Sequence, residues 1–162
     1  MADSQLEVRR ATPEDAGAIV RLAVEVQAFH AAARPDVFTP SGSESVPEVV
    51  ERMGSDVHLY WVATDGEDVI GYVYAKLSVE PETRWHWSAR ILTLVQMGVA
   101  ERYQRQGAGR RLWEAVRQAA TERRVDRVML NVWAFNTPAR RFYEQMGFAP
   151  FSERMALELG SG

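Results

Sequence analysis

Cysteine is absent from all 162 residues. That excludes a disulfide framework, a thiol nucleophile and any cysteine-ligated zinc or iron–sulfur centre. It also fits a reducing compartment. No apolar run approaches the roughly 18 residues that a membrane span requires; the longest are Leu59–Ala63 and Ile91–Ala100. Lysine is nearly missing, with Lys76 standing alone beside 18 arginines, a bias that a GC-rich genome explains more simply than chemistry does. The first residues, Met1–Gln5, are polar and acidic rather than a charged lead into an apolar stretch, so they do not read as a secretory signal. The expectation is a cytoplasmic protein with no membrane partner. No repeat, low-complexity tract or linker divides the chain, which reads as a single domain over residues 1–162. At this length a chain buries about 68–70% of its unfolded surface and folds without staples. No metal is expected.

The net charge of −3 is unevenly spread. Residues 1–100 carry 8 basic and 15 acidic groups, whereas residues 101–162 carry 11 and 7. An anionic partner would favour the second part and a cationic one the first; solvated surface charge is the simpler account.

Leu6–Arg10 reads as a short strand. Thr12-Pro13-Glu14-Asp15 reads as a helix start, with a capping hydroxyl, a proline suited to the first turn and acids complementing the dipole. Ile19, Leu22, Ala23 and Val26 then recur at helical spacing to about Ala31. Arg34-Pro35-Asp36 and Pro40-Ser41-Gly42 mark a loop, and Val46–Met53 a second helix. Leu59–Thr64 and Val69–Leu77 flank Asp65-Gly66 as a hairpin with a four-residue connection. Glu80–Arg90 is a loop holding Trp85-His86-Trp87, and Ile91–Val99 is a strand. A helix over about Gly109–Arg123 buries Leu112, Ala115, Val116 and Ala119. Val128–Trp133 reads as a buried strand. A last helix from Thr137 to about Met146 turns Ala139, Phe142 and Met146 inward and ends at Gly147, as a left-handed cap does. Phe148–Phe151 and Met155–Leu159 read as a closing pair of strands. The order implies an α/β (α+β) fold with a mixed sheet and helices on both faces.

The most informative segment is Gln104-Arg105-Gln106-Gly107-Ala108-Gly109-Arg110-Arg111, between a strand and a helix. Its glycines let the backbone turn tightly with little bulk facing a ligand. The first N–H groups of the helix lack intrahelical partners and, with the dipole, form a cradle for phosphate. Arg105 and Arg110 are placed to add charge-assisted contacts. The segment is no P-loop, because no Gly-Lys-Ser/Thr follows at the required spacing. It is no dinucleotide fingerprint either, since position 112 is Leu112 rather than glycine.

Gln104-x-x-Gly107-x-Gly109 resembles the Q/R-x-x-G-x-G/A signature of the GNAT N-acetyltransferase superfamily. A second block, Asn136, Ala139, Phe142-Tyr143 and Gly147-Phe148, is similar to that family's N-x-x-A-x-x-(F)Y-x-x-x-GF pattern. The resemblance covers about Leu59–Phe151 well and the first helices loosely. It implies a mostly antiparallel mixed sheet of six to seven strands, and transfer of an acetyl group from acetyl-CoA, as co-substrate, to a small-molecule or peptide amine in a ternary complex. In the family the strand before the loop is splayed by a bulge, and the pantetheine arm pairs with it. Those positions here are Met97, Gly98 and Val99. The pyrophosphate would lie on the amides of Arg105, Gln106, Gly107, Ala108, Gly109 and Arg110, and Asn136 would hold the arm or a water. Arg140 and Arg141 read as exposed helix charge. Homodimers are common among such proteins, but no interface patch is legible.

The chemistry needs a neutral amine, a polarised carbonyl and a proton for the leaving thiolate. Tyr143 is the candidate acid. With ordinary pKa values near 10 and 8.5, its proton transfer to a thiolate is uphill by about 2 kcal/mol. A backbone N–H of Met97 or Val99 would polarise the carbonyl. The base is unassigned. Some relatives carry a glutamate on the strand before the loop; the matching position is Thr93, which cannot act as one. Glu25, His30, Asp36, Glu80 and His86 lie in segments able to face an acceptor. Trp85 and Trp87 beside His86 would offer ring faces to a cation or an apolar acceptor, with packing the simpler role for at least one of them. His58 reads as a strand start with no further role. Arg34–Phe38 reads as part of a loop over the acceptor.

Two rival functions follow. A non-catalytic acyl-CoA sensor would keep the Gly107–Gly109 cradle and lack a base. Nucleic-acid binding through Arg110, Arg117 and Arg124 is disfavoured by the acidic balance and by the lack of an aromatic-basic platform.

Overall fold

Alternating apolar residues on either side of one glycine turn build the centre of the sheet. The computed structural model describes residues 6–40 and 44–160. Met1–Gln5, and Ser41-Gly42 of the expected loop, lie outside the described residues. In the described residues β2 (His58–Asp65) and β3 (Asp68–Glu80) pair antiparallel. Asp65 and Asp68 face each other, so the connection is the two residues Gly66 and Glu67 rather than four. Gly66 sits at φ +60°, which glycine adopts without strain and which lets the chain reverse this tightly. One edge of the sheet is β1 (Leu6–Arg10), antiparallel to β2. On the other side β4 (Ala89–Val99) pairs antiparallel with β3, and β5 (Arg127–Leu130) pairs parallel with β4.

The sheet is therefore mixed and mostly antiparallel, in the order β1-β2-β3-β4-β5. It has five strands among the described residues, not six to seven. The expected closing strands, Phe148–Phe151 and Met155–Leu159, form no ladder. Pro150 has no N–H to donate. Alternation of Met155, Leu157 and Leu159 marks an apolar face, but a strand also needs paired backbone groups. Likewise Trp133 lies outside β5, which ends at Leu130.

By contact the chain falls into two units, Met1–Asn131 and Val132–Gly162. In the first, helices cover both faces of the sheet. Helix α1 (Ala16–Ala33) and helix α2 (Val46–Met53) place Ala16, Ile19, Leu22 and Val49 against Tyr60, Val62, Tyr72 and Tyr74. The intervening residues Leu59, Trp61, Ala63, Val73 and Ala75 are buried on the opposite face. There α3 (Ala108–Glu122) buries Leu112, Trp113, Val116, Ala119 and Ala120. Trp113 and Ala120 were not among the expected inward positions, and Ala115 is only half-buried. The α1 entry is a short 3-10 turn, Pro13–Asp15, in which Asp15 accepts from the Thr12 N–H (2.8 Å) and from Arg9 (2.7 Å). The Arg9 guanidinium holds the Asp15 carboxyl below its usual range. Both α1 and the hairpin strands run slightly past their expected ends. No helix among the described residues is long and apolar enough to cross a membrane.

The second unit holds α4 (Thr137–Gln145). Ala139, Phe142 and Met146 are the expected inward positions, and each is half-buried rather than buried. Gly147, at φ +96°, closes the helix. Its N–H donates to Glu144 O, and the Phe148 N–H donates to Tyr143 O, both at 3.0 Å. That is the paired bond pattern of a left-handed C-terminal cap.

Gly98 on β4 is a packing requirement. A Cβ there would lie 2.8 Å from Val26 Cγ2 and 3.0 Å from a Tyr72 ring carbon. Gly98→Ala is therefore expected to push α1 off the sheet and to destabilise the fold by about 1–3 kcal/mol. Urea unfolding followed by circular dichroism measures this, and a midpoint equal to that of the unsubstituted protein would refute the packing argument.

Candidate functional site

The site starts where β4 loses a neighbour. β5 pairs only with Ile91–Leu94. On the β3 side the register runs Tyr74↔Gln96 and then Ala75↔Leu94, so Val95 opposes no residue and forms a bulge. From the bulge to Val99, no strand among the described residues pairs with the other edge of β4. Which backbone groups face that edge follows from alternation. The Ala100 N–H donates to Ile70 O on the β3 side at 2.8 Å. Two residues back Gly98 faces the same way, so Met97 and Val99 turn N–H and C=O toward the open edge. The Val99 carbonyl already accepts from the Gln104 side chain at 3.0 Å, which ties the following loop to the strand end. Of the three expected backbone contacts, Met97 and Val99 thus face the open edge. Gly98 faces β3, and its missing side chain leaves room for Val26 and Tyr72.

The loop is a short 3-10 turn, Glu101–Tyr103, then residues 104–107, then α3. Arg105 sits at φ +60° and Gly107 at φ +94°. Left-handed backbone at alternate residues curls successive N–H groups toward one concavity, as in anion nests. The first backbone bond of α3 runs from Arg111 N–H to Gly107 O at 3.1 Å. Ala108, Gly109 and Arg110 therefore keep N–H groups without an intrahelical acceptor. Among the described residues, no backbone carbonyl accepts from Arg105, Gln106 or Gly107 either. A Cβ on Gly107 would meet nothing within 4 Å. Arg105 and Arg110 are exposed. Arg110 makes only a loose pair with Glu114 at 3.5 Å. Arg111 is committed elsewhere, donating to Leu6 O. Gln106 braces the turn by donating to Arg102 O at 2.8 Å.

The base candidates are scattered. Asp36 is held by Arg34 at 2.8 Å, which lowers its carboxyl pKa below the usual range. His30 stacks on Phe38 at 5.1 Å, and burial pushes its pKa down. Glu25 is exposed on α1. Glu80 and His86 lie at the far end of the β3–β4 hairpin, about 20 Å along β4 from the bulge at ~3.3 Å per residue. In that hairpin Thr83 Oγ1 accepts from the N–H groups of Trp85 and His86, and the tryptophans point outward. They are 80% and 83% exposed, so neither packs, contrary to the expectation for at least one.

Two groups escaped the sequence reading. His58 is no idle strand start: its Nδ1 lies 2.6 Å from Tyr74 Oη. Tyr74 in turn stacks on Tyr60, with ring centroids 4.4 Å apart, and directly opposes Gln96 beside the bulge.

In the second unit, Asn136 caps α4 by accepting from the Ala139 N–H at 3.2 Å. Its oxygen is thus engaged and its amide nitrogen is the remaining donor. Tyr143 packs edge-on against Phe142 (5.3 Å) and Phe148 (5.7 Å). Burial pushes its hydroxyl up to about 12. Protonating an ordinary thiolate from there is uphill by about 5 kcal/mol rather than about 2. Arg140 and Arg141 are exposed.

Comparison with known proteins places these features in context. The family model described as "Acetyltransferase (GNAT) family" matches residues 18–148. The mycothiol acetyltransferase of Jonesia denitrificans is 32% identical over 99 residues, 61% of this chain. The aligned part is only 29% of that protein's length. Among solved structures, a tetramutant of the BH1408 protein from Bacillus halodurans superposes with a TM-score of 0.88 at 24% identity, covering 94% of this chain and 99% of the other. The aminoglycoside N-acetyltransferase AAC(6')-Iy in complex with CoA gives a TM-score of 0.76 at 14% identity, covering 96% and 95%. At those identities the two superpositions speak to the fold.

Proposed function

The chain belongs to the acetyltransferase (GNAT) family, and on that premise we propose that it moves an acetyl group from acetyl-CoA to a primary amine by direct attack in a ternary complex. The observation that carries the reading is the run of unpartnered N–H groups over residues 105–110, continuous with the open edge of β4. Those groups suit a diphosphate, and the edge suits an extended amide-bearing arm that adds to the sheet as a strand would. Acetyl-CoA, when bound, supplies the activated acetyl group.

This chain's residues do the rest. Arg105, Gln106, Gly107, Ala108, Gly109 and Arg110 grip the anionic end. Met97 and Val99 orient the arm, and the N–H of one of them, Met97 or Val99, stabilises charge on the acetyl oxygen. Asn136 donates its side-chain amide to the arm. Tyr143 holds a proton at its hydroxyl for the departing sulfur. The acceptor is a small molecule or a peptide amine, drawn by the acidic first hundred residues. The same cradle with Thr93 in place of a carboxylate also suits an acyl-CoA sensor that does no chemistry.

A thiol-release assay with acetyl-CoA and spermidine, lysine, kanamycin and a glycyl peptide separates the two readings. Release that depends on one or more of these amines is expected. Coenzyme binding without release from any of them would overturn the enzyme reading in favour of the sensor.

A further inference from the structure

We propose that Tyr74 and His58 form the proton-accepting pair for the acceptor amine, with Tyr74 Oη as the catalytic group and His58 as the positioning residue that takes the relayed proton. This rests on the acetyltransferase reading and supplies the base that Thr93 cannot provide.

Directly opposed residues in a sheet share a face. His58 opposes Lys76, and Lys76 opposes Thr93. One step along, Tyr60 opposes Tyr74, and Tyr74 opposes Gln96. All six side chains therefore stand on the face that α1 and α2 cover, in two rows that end on β4 on either side of the Val95 bulge. An arm laid along Val99 and Met97 carries its reacting end toward that bulge. An amine in front of Gln96 then stands over the strand next to Tyr74, whose hydroxyl leads on to His58.

The Tyr74–His58 hydrogen bond is short, at 2.6 Å. The ring of Tyr74 is held between Tyr60 at 4.4 Å and the Arg52 guanidinium at 5.7 Å. Arg52 is itself anchored by an ion pair to Glu44. The hydroxyl is thus fixed in place. His58 is half-buried and can return a proton to water.

The step balances as follows. As the amine nitrogen bonds to the acetyl carbon, one N–H proton passes to Tyr74 Oη. The proton already on Tyr74 passes to His58 Nδ1, leaving an imidazolium that loses its proton to solvent. The proton needed at sulfur comes separately, from Tyr143, whose hydroxyl then regains a proton from solvent, matching the one His58 releases. The relay requires a neutral ring at rest. The groups facing His58 are Lys76 and Tyr74 on β3, Tyr60 on β2, Thr93 on β4, Arg52 on α2 and Glu44 just before it. Burial, then Lys76 and Arg52, lower the His58 pKa, and Glu44 opposes them. The neutral ring therefore prevails at pH 7, and rate is lost as pH falls through that lowered value.

The test uses the four amines of the acceptor assay with three variants: His58→Gln, Tyr74→Phe and the double substitution. Tyr74→Phe keeps the ring stack, so the fold is retained; circular dichroism and CoA affinity within twofold of the unsubstituted protein check this. Each single variant is expected to lower kcat about a hundredfold. The double variant should fall no further, because the two act as a unit. His58→Gln should also remove the steeper fall of the kcat/KM profile at its acidic end, leaving the shallower slope set by the ionising amine, whereas His86→Gln leaves that steeper fall intact. Single variants within threefold of the unsubstituted protein, or an acidic end as steep in His58→Gln as in the unsubstituted protein, would overturn the assignment while leaving the acetyltransferase reading standing. Absence of thiol release from the unsubstituted protein with all four amines would instead overturn both.

Discussion

Gly107→Glu lowers the affinity for coenzyme A by about a hundredfold or more while the fold survives. Three effects at this one position give that result. The residue sits at φ +94°, where a side chain costs roughly 1–2 kcal/mol. The new Cβ meets nothing within 4 Å, so no clash unfolds the loop. The added carboxylate lies at the N-terminus of α3, where it takes up the same N–H groups as an intramolecular anion and is favoured by the dipole. In the free protein this partly offsets the backbone strain. In the complex the carboxylate competes with the diphosphate and repels it. A hundredfold loss is about 2.7 kcal/mol, within reach of one like-charge contact plus the lost hydrogen bonds. Gly107→Asn, which tolerates left-handed backbone and adds no charge, is expected to bind nearly normally. Calorimetry on both variants checks the pair, and normal affinity in Gly107→Glu would mean that the diphosphate lies elsewhere.

Tyr143→Phe lowers kcat by about a hundredfold with coenzyme affinity unchanged. The phenyl ring keeps the edge contacts with Phe142 and Phe148, so what is removed is one hydroxyl. General acids contribute about 10²–10⁴ to rate. Because burial holds this hydroxyl at about 12, it stays protonated across pH 6–10. Tyr143 therefore contributes no alkaline limb in that range, and the rate rises with pH as more of the amine becomes neutral. Unaltered turnover in Tyr143→Phe would remove the residue from the chemistry. A limb lost together with the hydroxyl below pH 10 would contradict its raised pKa.

The helices, the central hairpin and the strand–loop–helix of the cradle were legible because each depends on local physics. Val46–Met53 has helical spacing after a capping serine, and Gly147 ends α4 because a left-handed cap favours glycine. The cradle was legible from two glycines between an apolar run and an amphipathic one. The left-handed Arg105 was not, since arginine gives no local signal for that conformation. Nor were the bulges. A ladder run straight from the Asp65–Asp68 pair would set His58 against Ala75 and Tyr60 against Val73. A register shift between Ala63 and Thr64 moves His58 to Lys76 and Tyr60 to Tyr74 instead. That one-residue slip decides which side chains meet, and no residue near it announces it. The Val95 bulge has the same character: its only trace in the sequence is a valine that ends up half exposed. The closing strands failed for the opposite reason. Alternation was present, but no strand among the described residues forms a ladder with the chain there.

Coenzyme A titrated into the isotopically labelled protein, with backbone amide shifts followed by NMR, tests the phosphate cradle most directly. The largest saturating shifts are expected at Arg105 through Arg110, with smaller ones at Met97 and Val99 on the β4 edge. Adenosine lacking phosphates should leave the loop signals in place while inorganic pyrophosphate moves them. Shifts that gather elsewhere, with residues 105–110 silent at saturation, would contradict the account.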